Sequence, residues 1–299
     1  MGIKLQWPSQ SAKGVSGLEI YRGTGSTSTL NRNSLPAPLT TLAADATSFE
    51  DTTVVEKTIY NYWVCSVKNG ERVFTNPIQR GYYLDTGPGP TELKYGNWDA
   101  GYFGTVAVSD LFTFQEMNSQ LGISLFQYTP DFYHKFIFKG RILFYPNIRV
   151  MVQTWSNIYL AGLAWGSNAV AYIKPNGPAD TPQGRTVSKN GRAYNVRLPF
   201  SAEYSVTGGP TLSQDAIANL GEWRNTMERL FLVPGTMSRW GSAPPDVPSN
   251  TSSLQTTMFA QAYGTANIWV ELGGAPQAIT TNTQNQAMST MLVLELVLP

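Results

Sequence analysis

Few side chains in this 299-residue chain could do chemistry, and their types narrow the options at once. There is one histidine, His134, and one cysteine, Cys65. A zinc centre takes its ligands mostly from Cys and His, so this chain cannot build one. No Asp-x-Asp-x-Asp-Gly loop offers an all-oxygen calcium site either. No metal and no cofactor is expected. A Ser-His-Asp triad would have to use His134, with Asp131 three residues before it. The run FYHKFIF reads instead as a strand in which that histidine alternates with bulky neighbours, and no G-x-S-x-G elbow accompanies it. Cys65 lies inside the strand-like run IYNYWVCSV and reads as a packed thiol, with no second cysteine for a disulfide. Gly23-Thr24-Gly25-Ser26 is too short for a dinucleotide fingerprint and reads as a turn.

Glycan chemistry needs only two carboxylates at a suitable separation. The candidates are Asp99, Asp110, Glu116, Asp131, Glu203, Glu222 and Glu228. Glu116 completes a capping box, and Glu222 and Glu228 sit among Arg224 and Arg229, where solvated ion pairs are the ordinary explanation. No pair stands out, and the chain is expected to be non-enzymatic. Sugar binding without catalysis would use exposed aromatic faces beside Asn and Asp. Asn97-Trp98-Asp99-Ala100-Gly101-Tyr102 has that character, as does Arg239-Trp240-Gly241. Trp98, Asp99, Tyr102 and Trp240 are therefore the candidate binding residues, the alternative being that the aromatics are core or interface anchors.

The elements that would position these groups have an unusual composition. Only 14% of residues are charged, with 21 Lys+Arg against 20 Asp+Glu, where an average globular protein has about 25%. Phosphate neutralisation by clustered cations dominates nucleic-acid affinity, so that partner class is not expected. No apolar run approaches the ~20 residues of a membrane helix. The start MGIKLQWPSQ lacks the apolar stretch of a signal peptide, so synthesis in a cytosol is expected. Neutral polar residues with 12% aromatics suit a protein that lives in an assembly, because interface cores lose charge and gain aromatics.

Leu84–Leu93, LDTGPGPTEL, breaks the pattern with two Gly-Pro dipeptides. The expected division is residues 1–84, a linker 85–93, and residues 94–299. The first part alternates apolar residues in IKLQW, LEIY and IYNYWVCSV, with a hairpin signal at Asn69-Gly70. It resembles a fibronectin type III domain through Trp7, Leu18-Glu19-Ile20-Tyr21-Arg22, Phe49-Glu50-Asp51 and Tyr60-x-Tyr62-x-Val64. The resemblance implies a β-sandwich and gives Tyr60 the role of the corner tyrosine, whose hydroxyl bonds to the chain upstream. The chain opens in what looks like the family's second strand. Either the first strand is missing, or another chain supplies it, or the first residues simply fray.

The second part reads as α+β. Thr113-Phe114-Gln115-Glu116 is a capping box, followed by Phe114, Met117 and Leu121 at helical spacing and a stop at Gly122. A second, short helix is expected to start near Ser156 and end by Gly166, and a third to carry Trp223, Met227, Leu230 and Phe231 on one face. Strands are expected on either side of Lys139-Gly140, in NGRAYNVRLPF and in MLVLELVLP. Loops 174–191, 241–256 and 273–287 read as assembly or binding surfaces, or as plain insertions.

This part is similar to a C-terminal module of tailed-bacteriophage virion proteins. The likeness rests on Asn97-Trp98-Asp99-x-Gly101-Tyr102-x-Gly104, Lys135-Phe136-x-x-Lys139-Gly140-x-x-Leu143, Thr154-Trp155, Gly191-x-x-Tyr194-x-Val196-Arg197-Leu198, Gly221-Glu222-Trp223 and Leu292-Val293-Leu294-Glu295-Leu296. The closing strand also looks like that of C-type-lectin-like phage folds, although Met288-Ser289-Thr290-Met291 stands where those folds often carry Trp-Arg-Pro. The resemblance implies a structural virion protein of tail, collar, baseplate or fibre, made in the host bacterial cytoplasm. Its implied partners are other virion proteins and further copies of itself. Capsid decoration, a host-glycan receptor-binding module and a glycan depolymerase are the alternatives.

Overall fold

Three two-residue turns punctuate the chain: Asn69-Gly70, Lys139-Gly140 and Asn190-Gly191. All six residues have positive φ, the geometry that matches the right-handed twist of paired strands. Each turn closes a hairpin: β5 (Thr58–Lys68) with β6 (Glu71–Phe74), β10 (Phe132–Phe138) with β11 (Arg141–Pro146), and β13 (Thr186–Lys189) with β14 (Arg192–Arg197). The computed structural model describes residues 2–168, 177–201, 221–230, 257–263, 267–271 and 279–298. It is mainly β, and every described strand pair is antiparallel. The chain forms two units, Met1–Asp85 with Asn97–Asp99, and Thr86–Gly96 with Ala100–Pro299.

In the first unit, β1 (Ile3–Gln6) pairs with β4 (Ser48–Asp51) in a two-stranded sheet. The second sheet runs β3 (Thr40–Leu42), β2 (Gly17–Thr24), β5, β6, with β7 (Ile78–Tyr82) also paired to β5. Alternation decides the core. Ile3 and Leu5 from β1 meet Ile20, Tyr60, Tyr62 and Val64 from the larger sheet. Tyr60 accepts a hydrogen bond from the Val55 N–H at 2.8 Å, which ties the turn before β5 to the strand. Asp51 is buried but fully engaged: Tyr62 Oη at 2.8 Å, Arg22 Nη1 at 2.7 Å and the Thr53 hydroxyl at 2.7 Å all donate to it. Burial alone would raise its carboxyl; these hydrogen bonds hold it below its ordinary value.

In the second unit, a seven-stranded sheet runs β13, β14, β19 (Val293–Leu296), β11, β10, β9 (Ala100–Ala107), β8 (Tyr95–Gly96). Two smaller sheets pair β12 (Met151–Gln153) with β18 (Met288–Thr290), and β15 (Thr257–Tyr263) with β16 (Asn267–Glu271) and β17 (Ile279–Thr283). The C-terminal strand thus lies mid-sheet, between β14 and β11. Val293, Leu294 and Leu296 of this strand are buried, which accounts for its near-continuous apolar run.

Helix α1 (Phe114–Leu121) carries the expected capping box, with Gly122 left-handed behind it. Helix α2 (Trp155–Leu160) starts on a Thr154 cap, beside the expected Ser156, and stops at Ala161, before Gly166. The third helix is interrupted. α3 (Glu222–Asn225) gives way at Thr226 to a 3₁₀ turn, Met227–Leu230, because the Thr226 hydroxyl bonds the Glu222 carbonyl at 2.7 Å. Trp223, Met227 and Leu230 still share the core, and Phe231 lies outside the described residues.

Two loop expectations need correction. The stretch 174–191 contains strand β13, and 273–287 contains strand β17; the loop at 241–256 lies outside the described residues. The stretch 85–93 is also no free linker. Thr86 and Gly87 are buried in the second unit, and the wholly buried Lys135 ammonium donates to Thr86 Oγ1 at 3.0 Å, Gly87 O at 3.3 Å and Pro90 O at 2.7 Å. Gly87 has φ +79°, and a Cβ there would stand 2.8 Å from the Phe144 ring. The Gly-Pro pairs allow close packing here rather than hinging.

Edge protection explains part of the amide-rich composition. Strand β13 is an edge of the large sheet, and the Gln120 side chain acts there as a neighbouring strand would. Its Oε1 accepts from Ser188 N–H at 2.8 Å and its Nε2 donates to Ser188 O at 3.1 Å. Asn118 does the same for Phe126 N–H and O, at 3.1 and 2.9 Å. Gln183 spans Ala164 N–H and Tyr159 O, both at 2.9 Å. Gln120→Ala uncovers the β13 edge. Ser188 amide exchange is expected to accelerate several-fold, with no loss of the α1 cap; exchange mass spectrometry over 186–197 checks it.

Candidate functional site

Five polar side chains of the second unit, Arg197, Glu222, Glu295, Arg141 and Tyr145, meet in one cluster. Arg197 at the end of β14 grips Glu222 with both guanidinium arms, Nη1 to Oε1 at 2.9 Å and Nη2 to Oε2 at 2.7 Å. Its Nε bonds Glu295 of β19 at 2.8 Å. Arg141 reaches Glu222 Oε2 at 3.3 Å, and the Tyr145 hydroxyl donates to Oε1 at 2.7 Å. The Phe200 ring lies 4.1 Å from the Arg197 guanidinium. The cluster therefore joins β11, β14, β19 and the short helix α3.

Electrostatics follow from that geometry. Burial opposes ionisation of Glu222, but Arg197, Arg141 and the hydrogen bonds outweigh it and hold the carboxyl below its ordinary value. Burial would likewise weaken the Arg197 charge, while Glu222 and Glu295 strengthen it. The pair stays ionised. Glu222 is 0% exposed and Arg197 1%, while Arg141 and Glu295 stay partly exposed, so the buried pair at the centre of the cluster ties the strands together.

His134 is just as enclosed. Its Nδ1 lies 3.1 Å from the Tyr102 hydroxyl, and its Nε2 has no hydrogen-bond partner among the described residues. Burial lowers its pKa to about 4, so the ring is neutral at pH 7. Asp131 is bonded by Asn147 Nδ2 at 3.2 Å. Cys65 is buried, and burial pushes its thiol up to about 11, with Glu19 adding to the shift. Glu116 caps α1 and pairs with Lys189 at 2.8 Å. Glu228 lies 3.6 Å from Arg224. Asp110 is exposed, and Glu203 lies outside the described residues. Among the described residues no three His, Cys, Asp or Glu side chains are grouped to hold a metal ion, and no helix is long and apolar enough to cross a membrane.

The candidate binding residues separate. Trp98 and Asp99 belong to the first unit, Tyr102 to the second, and Trp240 lies outside the described residues. Trp98 is half-buried and stacks on Tyr83, 5.5 Å between centroids and 4° between planes. It lies so close over Gly81 that a Cβ there would stand 2.3 Å from the ring, and its N–H donates to Gln79 Oε1 at 2.9 Å. Asn97 Oδ1 accepts from Asp99 N–H at 2.9 Å, shaping that turn. Tyr102 is 1% exposed, stacked on Tyr95 and tilted against Phe136. It is a core residue and cannot offer a face to a sugar; the anchor alternative holds for it.

Sequence reasoning passed over Arg197, Tyr145 and Glu295 as acting groups. Their signal was present: a charged residue within each of two otherwise apolar strand runs, VRL and LEL, must find a partner if both flanks are buried. No family model, curated protein or solved structure matches this chain.

Proposed function

We propose that this chain is a non-enzymatic structural protein of a tailed-phage virion, associated with tail, collar, baseplate or fibres and acting in docking and assembly. The observation that carries this reading is the buried cluster of Arg197, Glu222 and Glu295. Each belongs to a stretch on which the phage-module resemblance rests, and each is a framework residue. Lys135, from another of those stretches, clamps the segment entering the second unit. Trp155, from a third, is fully buried with its indole N–H on Phe259 O at 3.1 Å. The resemblance thus coincides with residues that hold the unit together, as expected for a protein whose task is shape.

The first unit supports the fibronectin-like part of the proposal. Its two sheets pack face to face, and the Val55–Tyr60 bond has the form of a corner-tyrosine contact. The low charged fraction of the chain is consistent with neighbours in an assembly.

The test is immunogold labelling of intact particles with antibody against residues 94–299. Gold at the neck, sheath end or fibres is the expected result. Gold spread evenly over the head reassigns the protein to capsid decoration. Unlabelled particles, with the epitope accessible on the purified chain, overturn the virion reading.

A further inference from the structure

The first unit is a lopsided sandwich. Its larger sheet is four strands wide, because β6 and β7 share one edge of β5 while β2 and β3 extend from the other. The facing sheet has only β1 and β4. Strands β3 and β4 are joined by residues 43–47 alone, so they lie on the same side of the sandwich. The open edge of β1 therefore faces the β7 side, in a layer two strands narrower than the one above it.

The phase of hydrogen bonding shows what that edge offers. Trp7 N–H bonds Thr47 O at 3.0 Å, continuing the β1–β4 ladder. Bonded residues alternate in an antiparallel pair, so Ile3, Leu5 and Trp7 direct their backbone groups at β4. Lys4 and Gln6, both exposed, direct theirs outward. Above this edge, Ile78 and Tyr82 of β7 pack against the core yet are only half-buried, and Arg80, midway between them on the same face, is exposed. The β13 edge of the second unit is sealed by Gln120; β1 has no such cover among the described residues.

We infer that the outer edge of β1 accepts an extended strand from a partner polypeptide, with apolar residues beneath Ile78 and Tyr82 and an acidic residue beneath Arg80. The N–H and C=O of Lys4 and Gln6 supply the ladder, and the half-buried side chains supply the side-chain specificity, as in other strand-addition modes. A second copy docking through its own β1 fits poorly. Antiparallel pairing about a two-fold axis would bring both four-wide sheets to the same side of the joined pair, where each overhangs the other's β1. A detached, single extended segment has no such overhang. This inference rests on β1 and β7 alone and does not depend on the virion reading.

The probe is the heptapeptide Thr-Val-Thr-Asp-Thr-Val-Thr, added to the full chain. Its control, Thr-Val-Asp-Thr-Thr-Val-Thr, moves the acid to the other face. The expected result is saturable binding of the first peptide, with slowed amide exchange at Lys4 and Gln6, and at least ~10-fold weaker binding of the control. Lys4→Pro removes an outward N–H and leaves the bonds to β4 intact, a substitution edge strands tolerate; it should weaken binding ~10-fold or more with the fold unchanged by circular dichroism. Arg80→Glu should reverse the preference toward the same peptide carrying Lys in place of Asp. Failure of the first peptide to bind, or equal binding by Lys4→Pro, overturns the inference. So does a dimer of the chain alone that Lys4→Pro dissolves, since a second copy would then be the occupant.

Discussion

Glu222→Leu is expected to lower the unfolding temperature of the second unit by about 10 °C or more, the largest effect of any single substitution considered. The carboxylate is fully buried and takes two bonds from Arg197, one from Tyr145 and an ion pair from Arg141. Its removal leaves the Arg197 guanidinium, 1% exposed, with only the partly exposed Glu295 as counter-charge. Breaking a buried pair in this way costs about 3–5 kcal/mol, because the remaining ion is still dehydrated. In a unit of this size each kcal/mol corresponds to roughly 2–4 °C. The double variant Arg197→Met/Glu222→Leu should recover most of the loss, since replacing both ions together leaves no bare charge. Differential scanning calorimetry of both variants checks it. A double variant as unstable as the single one would show that the cluster acts through shape rather than charge.

The second large effect is a loss of stability on mild acidification, traceable to His134. Its ordinary pKa of 6.5 falls to about 4 in the folded chain because burial penalises the charged ring. The unfolded chain therefore binds the proton first. Stability is complete above pH 6.5, declines as the pH drops through the window from 6.5 to 4, and is lost to the full extent below it. A gap of that size corresponds to about 3 kcal/mol. Asp51, Glu116 and Glu222 also resist protonation when folded, but from ordinary values of 3.8 to 4.5 their contributions are lost at lower pH. The two windows are thus separable. His134→Phe, which places a ring of similar shape among Phe132, Phe136 and Tyr102, should flatten the profile between pH 7 and 4.5 while leaving the steeper acid limb. Denaturant titrations at half-unit pH steps read both.

Local chemistry carried much of the architecture into the sequence. The capping box at Thr113 and Glu116 specifies α1 because its two bonds join residues three apart. Asn69-Gly70 specifies the β5–β6 hairpin for the same local reason. Asn190-Gly191 carried an equal signal between Thr-Val-Ser-Lys and Arg-Ala-Tyr-Asn, yet the Gly- and Pro-rich residues before it made the whole stretch read as loop. Tyr102 kept two readings and the segment 85–93 looked like a linker because burial is not a local property. A tyrosine beside Trp98 looks available until β10 covers it, and Gly-Pro pairs look like a hinge until Lys135 closes over them.

The sequence by itself determined the β-rich character of the chain, its principal turns and caps, and the scarcity of groups able to do chemistry, because those depend on residue type and on neighbours a few positions apart. Only the tertiary structure decided where the charges went. Arg197, Glu222 and Glu295 are 25 to 98 residues apart, and their meeting depends on the C-terminal strand entering the middle of a seven-stranded sheet. The open edge of β1 is equally a tertiary fact: whether a strand has a neighbour is a property of the sheet it joins.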